Sequence, residues 1–177
     1  MSAPSVEPLE PDAKLSRANL HLVADFTCTR PGDPEPPWEQ DIREWITARP
    51  RQGGAIDAVE ARGDSIWLYL DETGAVLGFV SLGLGTRTPK DATPVQLLPY
   101  LGMHTRGRGG GRGCRAFEWA IREAERRHRE DGLPSELVLY VDPNNPAVAL
   151  YEGRGFTRIA VDEDDPRKWV IMALRFA

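Results

Sequence analysis

An unbroken stretch of arginine and glycine at residues 106–113, RGRGGGRG, limits how this chain can fold. It follows an apolar run at 95–104, VQLLPYLGMH, which predicts a strand. Directly after it, a helix over 112–130 is predicted by apolar residues at i, i+3, i+4 and i+7, namely Phe117, Ala120, Ile121 and Ala124. The sequence therefore predicts a strand, a glycine-rich turn and a helix in direct succession.

Two functions are compatible with such a run. A helix N-terminus carries unpaired backbone N–H groups and a partial positive charge, and preceding glycines let a phosphate approach the backbone closely. RNA-binding arginine–glycine boxes instead occur as repeats in disordered, positively charged segments. Here the run occurs once, in a chain of 177 residues with a net charge of -5. We predict a phosphate-binding turn and keep RNA binding through this run as a remote alternative.

Two common nucleotide-binding motifs do not fit the run. A dinucleotide-binding turn belongs to a parallel βαβ unit near the start of its domain, whereas this turn lies in mid-chain after a predicted hairpin. A P-loop needs Lys followed by Ser or Thr after its last glycine, and here Cys114 and Arg115 follow Gly113. The turn therefore belongs to another kind of phosphate site.

The sequence on both sides of the turn resembles the GNAT superfamily of acyl-CoA-dependent N-acetyltransferases. RGGGRG (108–113) is similar to its Arg/Gln-x-x-Gly-x-Gly/Ala signature, and this register, rather than one starting at Arg106, places Glu118 where family helices commonly carry an acidic residue. The run 137–156 is similar to a second family motif, Asn-x-x-Ala-x-x-Leu-Tyr-x-x-x-Gly-Phe, and its matching residues are Asn144, Ala147, Leu150, Tyr151, Gly155 and Phe156. The resemblance covers about residues 18–176.

The resemblance and the order of elements imply an α/β (α+β) fold. We expect a single acetyltransferase domain over 18–177, with a mixed, mostly antiparallel sheet of six to seven strands and about four helices. The sheet is expected to splay between strands near 96–103 and 136–142. Residues 1–17 are rich in Pro, Glu, Ser and Asp and predict a disordered segment.

Local patterns place the remaining elements. Helices are predicted at 37–48, 54–61 and 145–154, and strands at 20–26, 135–142, 156–161 and 168–176. A hairpin is predicted over 64–85 with its turn at 72–74. The polar segment 86–94 carries two prolines and predicts a mobile loop, and the acidic run DEDD (162–165) predicts a solvated turn.

The resemblance implies a set of cofactor-binding residues. The backbone N–H groups of the turn would hold the pyrophosphate of acetyl-CoA, aided by two arginines, while the edge of the preceding strand would bind the pantetheine arm. Asn144 would orient a pantetheine amide or cap the following helix. The full set is Leu101, Gly102, Met103, Arg108, Gly109, Gly110, Gly111, Arg112, Gly113, Asn144 and Tyr151.

Three residues are implied as catalytic. Tyr151 matches the family's general acid, although a tyrosine that only packs on the sheet would fit the same helical stripe. The N–H near Met103 would stabilise the oxyanion, with Gly102 marking a bulge or a close ligand approach. No carboxylate is marked as the base, so His104 and ordered water are both candidates.

Composition limits the remaining expectations. The two cysteines, Cys28 and Cys114, and the absence of a long apolar run favour a cytoplasmic protein without a membrane partner. The three histidines have no metal-ligand spacing, so no metal is expected.

The expected partners are acetyl-CoA and a small-molecule or protein amine, bound by a monomer or homodimer. Trp38, Trp45 and the 27–37 loop are expected to line the amine pocket, where acidic residues would favour cationic amines. A non-catalytic acyl-CoA sensor is the alternative function.

Overall fold

The computed structural model describes residues 6–177, which form eight strands, four α-helices and two short 3-10 helices. The strands are β1 (Ala13–Lys14), β2 (Ser65–Leu70), β3 (Val76–Thr88), β4 (Asp91–Leu97), β5 (Leu101–Met103), β6 (Glu136–Val141), β7 (Thr157–Val161) and β8 (Val170–Arg175). The helices are α1 (Pro37–Thr47), α2 (Ala55–Arg62), α3 (Arg112–Asp131) and α4 (Ala147–Gly153). Arg17–Val23 and Thr105–Gly107 form the 3-10 helices.

The sheet is mixed and mostly antiparallel, as predicted. Its strands lie in the order β1-β2-β3-β4-β6-β8-β7, and β5 pairs with β3 beside β4. Only the β4–β6 pair is parallel among the described strands. That pair is short, since it joins Gln96 to Leu137 and Leu97 to Val138 and ends with the Leu98 N–H on the Val138 carbonyl, at 3.0 Å. The sheet therefore splays after Leu98, where the sequence predicts it.

A β-bulge marks the point where the splay begins. Gly83 pairs with Leu97, whereas the Ser81 N–H donates to the Tyr100 carbonyl at 3.0 Å. Leu82 therefore lies opposite two residues, Leu98 and Pro99. An extra residue bends its strand away from the neighbour, and proline cannot donate to a sheet, so β4 ends here and β5 follows β3 alone.

The two larger of three hydrophobic cores lie on opposite faces of the sheet. One core joins α3 and α4 to residues of β2, β3 and β6, including Phe117, Leu139 and Phe156. The other joins α1 and α2 to the opposite face of β2 and β3, including Phe79. The alternation of side chains along a strand supplies both faces. The splay of the sheet is thus bordered by helices above and below.

The predicted strand at 20–26 is wrong. Arg17–Val23 is a 3-10 helix, because the Ser16 N–H donates to the Asn19 side chain at 2.8 Å and so starts a helical turn. The apolar residues of this run pack between the sheet and α1 instead of pairing with a strand.

The predicted loop at 86–94 is also wrong. Strands β3 and β4 continue into it as a hairpin, with Thr86 opposite Pro94 and Thr88 opposite Asp91. Its three threonines favour extended backbone, and Arg87 ties the hairpin to Glu136 of β6 at 2.6 Å.

Residues 6–17 differ from the predicted disordered segment, while residues 1–5 lie outside the described chain. Strand β1 pairs with β2, the side chain of Leu15 is buried, and the Tyr69 hydroxyl donates to the Leu9 carbonyl at 2.9 Å. The prolines of this segment are compatible with an extended edge strand. No described helix is both long and apolar enough to span a membrane.

Candidate functional site

The glycine-rich turn is open where an anion would lie. Gly109, Gly110 and Gly111 have φ values of 93°, 64° and 71°, a left-handed conformation that other residues adopt at a cost. A Cβ atom built on any of the three meets no atom within 4 Å. Gly111 is the N-cap of α3, so the turn leads the backbone N–H groups at the positive end of a 20-residue helix towards open space.

Three arginines surround this turn in different ways. Arg108 makes a short ion pair with Glu39 of α1, and Glu39 also accepts from the Thr29 hydroxyl at 2.6 Å. Arg106 lies against the ring of His104, at 3.1 Å from its Nδ1. Arg112 is the first residue of α3 and has no ion-pair partner among residues 6–177. Arg112 is therefore the cation most available to a phosphate at the turn.

The strand β5 has one free edge. Its residues pair with β3 in a register that places Phe79 opposite Gly102, and the His104 N–H donates to the Leu77 carbonyl at 2.9 Å. Backbone groups of an antiparallel strand alternate in direction, so those of Leu101 and Met103 point away from β3. They face the splay between β5 and β6, which is where another extended chain could pair with them.

The backbone N–H groups of Leu101 and Met103, which point away from β3, have different surroundings. The Met103 N–H lies within hydrogen-bond reach of the Cys28 thiol, whose pKa is raised to about 12 by burial. The next N–H along the same edge, that of Thr105, donates to the Thr27 carbonyl at 3.0 Å. Residues 27–28 thus run along the Met103 end of the edge. The Leu101 N–H lies on the open part, because Leu101 lines the cleft described below.

Gly102 is required for helix packing. A Cβ atom at this position would lie 2.7 Å from the Ile42 side chain of α1 and 3.1 Å from Phe79. The bulge of this strand lies at Leu98–Pro99, not at Gly102. Gly102 therefore allows α1 to approach β5 closely, which sets the width of the site.

Tyr151 brings a neutral phenol to the splay. Its ring packs 5.0 Å from that of Phe117, and burial raises its pKa to about 12. No hydrogen-bond partner for its hydroxyl is found within residues 6–177, yet no described side chain is left both buried and unsatisfied. The hydroxyl is therefore accessible from the cleft, which Tyr151 lines, while the ring packs against the core. Both sequence interpretations of Tyr151 are compatible with this position.

A cleft of about 450 Å³ lies between the two halves of the splayed sheet. Leu101 and Tyr151 line it at one end, and Asp64 and Arg62 line it at the other. Its size is that of a small-molecule site. The outward edge of β5 at Leu101, the Tyr151 phenol and the cleft are thus contiguous. The glycine-rich turn adjoins the other end of β5, since a Cβ atom at Gly113 would lie 3.6 Å from the Met103 side chain.

Comparison with known proteins gives the family of this chain. The model of the acetyltransferase (GNAT) family matches residues 21–156, which is most of the chain. The chain belongs to the GNAT acetyltransferase family. No match was found among curated protein sequences.

Solved structures agree with this assignment at the level of fold. The PaiA N-acetyltransferase from Thermoplasma acidophilum, in complex with coenzyme A, is 16% identical with a TM-score of 0.62, covering 92% of this chain and 96% of that one. A bacterial toxin is 15% identical with a TM-score of 0.64, covering 86% and 82%. A GNAT-family protein from Desulfovibrio desulfuricans is 17% identical with a TM-score of 0.57, covering 91% and 94%.

In this GNAT acetyltransferase, α4 is held on α3 by an ion pair. Glu118 is buried and its Oε2 accepts from Arg154 Nε at 2.8 Å, while Oε1 accepts from Arg122 at 3.3 Å. Arg154 directly follows α4, the helix that carries Tyr151. Glu118 was singled out from the family pattern, and its position assigns it to the placement of Tyr151.

We expect Glu118→Gln to lower the free energy of unfolding by about 1 to 3 kcal/mol, because the half-buried Arg154 loses its charged acceptor, the buried carboxylate of Glu118. Glu130→Gln is the matched control on the same helix. Glu130 pairs with Arg126 at 2.9 Å in an exposed position, and its loss should cost less than about 1 kcal/mol. Urea unfolding measures both, and equal costs would show that the buried pair does not hold α4.

His104 is buried at the end of β5, before the glycine-rich turn, and does not line the cleft. Its Nδ1 accepts from the Arg106 N–H at 3.1 Å, and its ring lies edge-on to Phe26 at 5.5 Å. Burial and the charge of Arg106 lower its pKa. This geometry gives His104 a capping role in the turn after β5, so water in the cleft is the better candidate for the base.

The lowered pKa of His104 gives a pH dependence. The unfolded chain binds a proton at His104 more readily than the folded one, so stability should fall as the pH drops below about 6.5. We expect His104→Asn to flatten the decline of the unfolding free energy between pH 7 and 5, by at most about 1.4 kcal/mol per pH unit. Parallel slopes for the two proteins, in urea titrations at several pH values, would contradict this origin.

The helix cap predicted for Asn144 is supplied by its neighbour. Asn145 Oδ1 accepts from the Ala147 N–H at 2.9 Å, at the start of α4, and Asn145 lines the cleft. Asn144 is exposed, and its N–H donates to Asp142 at 2.9 Å. A contact of Asn144 with pantetheine stays a prediction.

The residues expected to line an amine pocket are not all at the cleft. Trp38 lines it, but Trp45 packs on Tyr100 at 4.6 Å against the core, and the 27–37 loop does not line it. The cleft also contains residues that the sequence did not indicate as site residues, namely Asp41, Asp64, Tyr140, Asp162, Asp165 and Trp169. The acidic run 162–165 was the signal available for two of them, although it reads equally well as a solvated turn.

Proposed function

We propose that this protein is an N-acetyltransferase that moves the acetyl group of acetyl-CoA to a primary amine by direct attack in a ternary complex. One observation supports the proposal: β5 joins the open glycine turn, which adjoins it at Met103, to the cleft that Leu101 and the Tyr151 phenol line. Each of these features matches one part of the reaction, and the family assignment supports acyl transfer in general.

The turn and the edge fit the two halves of acetyl-CoA. The turn from Gly109 to Gly113, with Arg108 and Arg112, would hold the pyrophosphate, since the space beside Gly109, Gly110 and Gly111 is open and no side chain there blocks approach to the helix N-terminus. Arg108 would then exchange Glu39 for phosphate oxygens, because one guanidinium serves either anion. Leu101 and Met103 would pair with the pantetheine amides as a neighbouring strand does.

An N–H group of the β5 edge would stabilise the negative charge that develops on the thioester oxygen. Both Leu101 and Met103 present one towards the splay, but the Met103 N–H is beside the buried thiol of Cys28. Leu101 shares the open cleft with Tyr151, so we assign the oxyanion contact to the Leu101 N–H and a supporting contact to Met103.

Proton transfers complete the reaction. The amine nitrogen attacks the thioester carbon, the carbon–sulfur bond breaks, and the thiolate takes the proton of the Tyr151 hydroxyl. The raised pKa keeps that hydroxyl protonated at neutral pH until the thiolate charge develops. The proton lost by the amine passes to water in the cleft and returns the phenol to its neutral state.

Calorimetry with acetyl-CoA, combined with an assay for released CoA over a panel of amines, tests the proposal. We expect micromolar binding of acetyl-CoA and release of CoA only when an amine is present. Binding without CoA release from any amine would instead indicate an acyl-CoA sensor. Absence of binding at high micromolar acetyl-CoA would contradict both, and a salt-dependent shift of RNA lost on Arg→Ala changes in 106–113 would favour the RNA alternative.

A further inference from the structure

Resting on the proposed function, we infer that the acceptor is a linear amine with a second positive charge, whose distal ammonium is held by Asp162 at the wall of the cleft. The inference starts from the cleft, whose lining combines carboxylates and aromatic rings and which has a charged tie beside it. Negative charge, aromatic walls and a charged tie are each common in clefts, and their combination favours a small, linear acceptor with two positive charges.

The cleft carries an excess of negative charge. Four carboxylates line it against one arginine; they belong to Asp41, Asp64, Asp162 and Asp165. Asp64 pairs with that arginine, Arg62, at 2.9 Å, and Asp41 pairs with Arg167, which lies outside the lining. Asp162 makes no ion pair among the described residues, and its carboxylate is close enough to Tyr140 to act on the phenol there. Asp162 is thus a charge that the protein itself does not neutralise.

Aromatic rings and apolar strand residues form the walls beside Asp162. Trp38, Tyr140 and Trp169 line the cleft together with the apolar side chains of Leu97 and Val138. Indole and phenol faces attract ammonium groups, and the apolar surface fits a methylene chain. A chain of methylenes between two ammonium groups matches this lining better than a compact, polyhydroxylated amine does.

A charged tie joins α1 to the end of β6 beside the cleft. Arg167 makes a short ion pair with Asp41 of α1 and a second pair with Asp142 after β6, at 2.6 Å. Its guanidinium also lies 4.4 Å from the centre of the Trp169 ring, which fixes the β7–β8 loop in place. Because this tie joins the two walls, the cleft fits a small molecule better than an extended peptide that passes through it.

The position of Asp162 is fixed by backbone bonds rather than by its side chain. Its N–H donates to the Trp169 carbonyl at 2.8 Å, at the end of the β7–β8 pairing. Replacing the carboxylate by an amide therefore removes charge while the loop keeps its bonds. Asp164 lies two residues away, is exposed and does not line the cleft, so it gives a matched control.

The test measures CoA release with 1,6-diaminohexane, with 1-aminohexane and with a tetrapeptide that carries its only amine at the N-terminus. We expect kcat/KM for the diamine to exceed that for the other two by at least about tenfold. Asp162→Asn should lower kcat/KM for the diamine about tenfold through KM, leaving the monoamine and the Kd of acetyl-CoA unchanged. Asp164→Asn should change none of these values.

Equal use of the monoamine or the peptide would overturn the inference and leave the proposed function intact. An equal effect of Asp162→Asn on diamine and monoamine would overturn it as well, since the contact would then not be with the second charge. If no amine releases CoA, the proposed function fails and this inference fails with it. Unchanged melting temperatures of both variants verify that the fold is retained.

Discussion

Replacing Tyr151 by phenylalanine should lower kcat by at least about tenfold and leave the affinity for acetyl-CoA nearly unchanged. The hydroxyl contributes only as charge develops on the departing thiolate, so its loss affects the transition state and not the bound ground state. General acids typically contribute about a hundred- to ten-thousand-fold, and water can replace part of this. The ring keeps its packing against Phe117, so a change in stability cannot imitate the effect.

Tyr69→Phe is the matched control for the loss of a phenol. Its hydroxyl donates to the Leu9 carbonyl, away from the cleft, so kcat should stay constant even if stability falls. Steady-state kinetics with calorimetry on both variants gives the comparison. An unchanged kcat for Tyr151→Phe, with chemistry established as the slow step, would make Tyr151 a core residue and leave the thiolate to depart unaided.

Gly110→Val should weaken acetyl-CoA binding by about ten- to a hundredfold. A β-branched side chain at a φ of 64° strains the backbone by about 1 to 3 kcal/mol, and its Cβ would occupy the open side of the turn. The strain is present in the free and the bound protein alike and so lowers stability, whereas the loss of affinity, about 1.4 kcal/mol for each factor of ten, comes from the side chain that blocks the phosphate.

Gly132→Val gives the same strain at the other end of α3. Gly132 has a φ of 71° and open space around its Cβ position, but it caps the C-terminus of the helix. Both variants should lose similar stability, and only Gly110→Val should lose acetyl-CoA affinity in calorimetry. Equal affinity in the two variants would mean that the turn does not hold the pyrophosphate.

The turn and its helix were predictable because their signal is local. Consecutive glycines before a stripe at Phe117, Ala120, Ile121 and Ala124 specify a turn and an amphipathic helix whatever the rest of the chain does. The splay was predicted through the family resemblance. Its cause, two residues opposite Leu82, depends on the register between strands, and no local pattern encodes that register.

The acceptor cleft was not predictable for a related reason. Asp41, Asp64 and Asp162 lie far apart in the sequence, and each follows or belongs to an ordinary surface element. The tie between Arg167 and Asp41 joins residues 126 positions apart. The strand predicted at 20–26 failed because a side-chain contact at Ser16 and Asn19 outweighed apolar content.

Direct transfer within a ternary complex is tested most directly by single-turnover mixing. The protein loaded with acetyl-CoA is mixed rapidly with 1,6-diaminohexane or with buffer, and free CoA thiol and acetylated amine are followed in time. We predict that thiol and acetylated amine appear together, at one rate, and only when the amine is present. A burst of thiol in buffer alone, equal to the amount of protein, would show an acetylated protein intermediate and contradict direct attack.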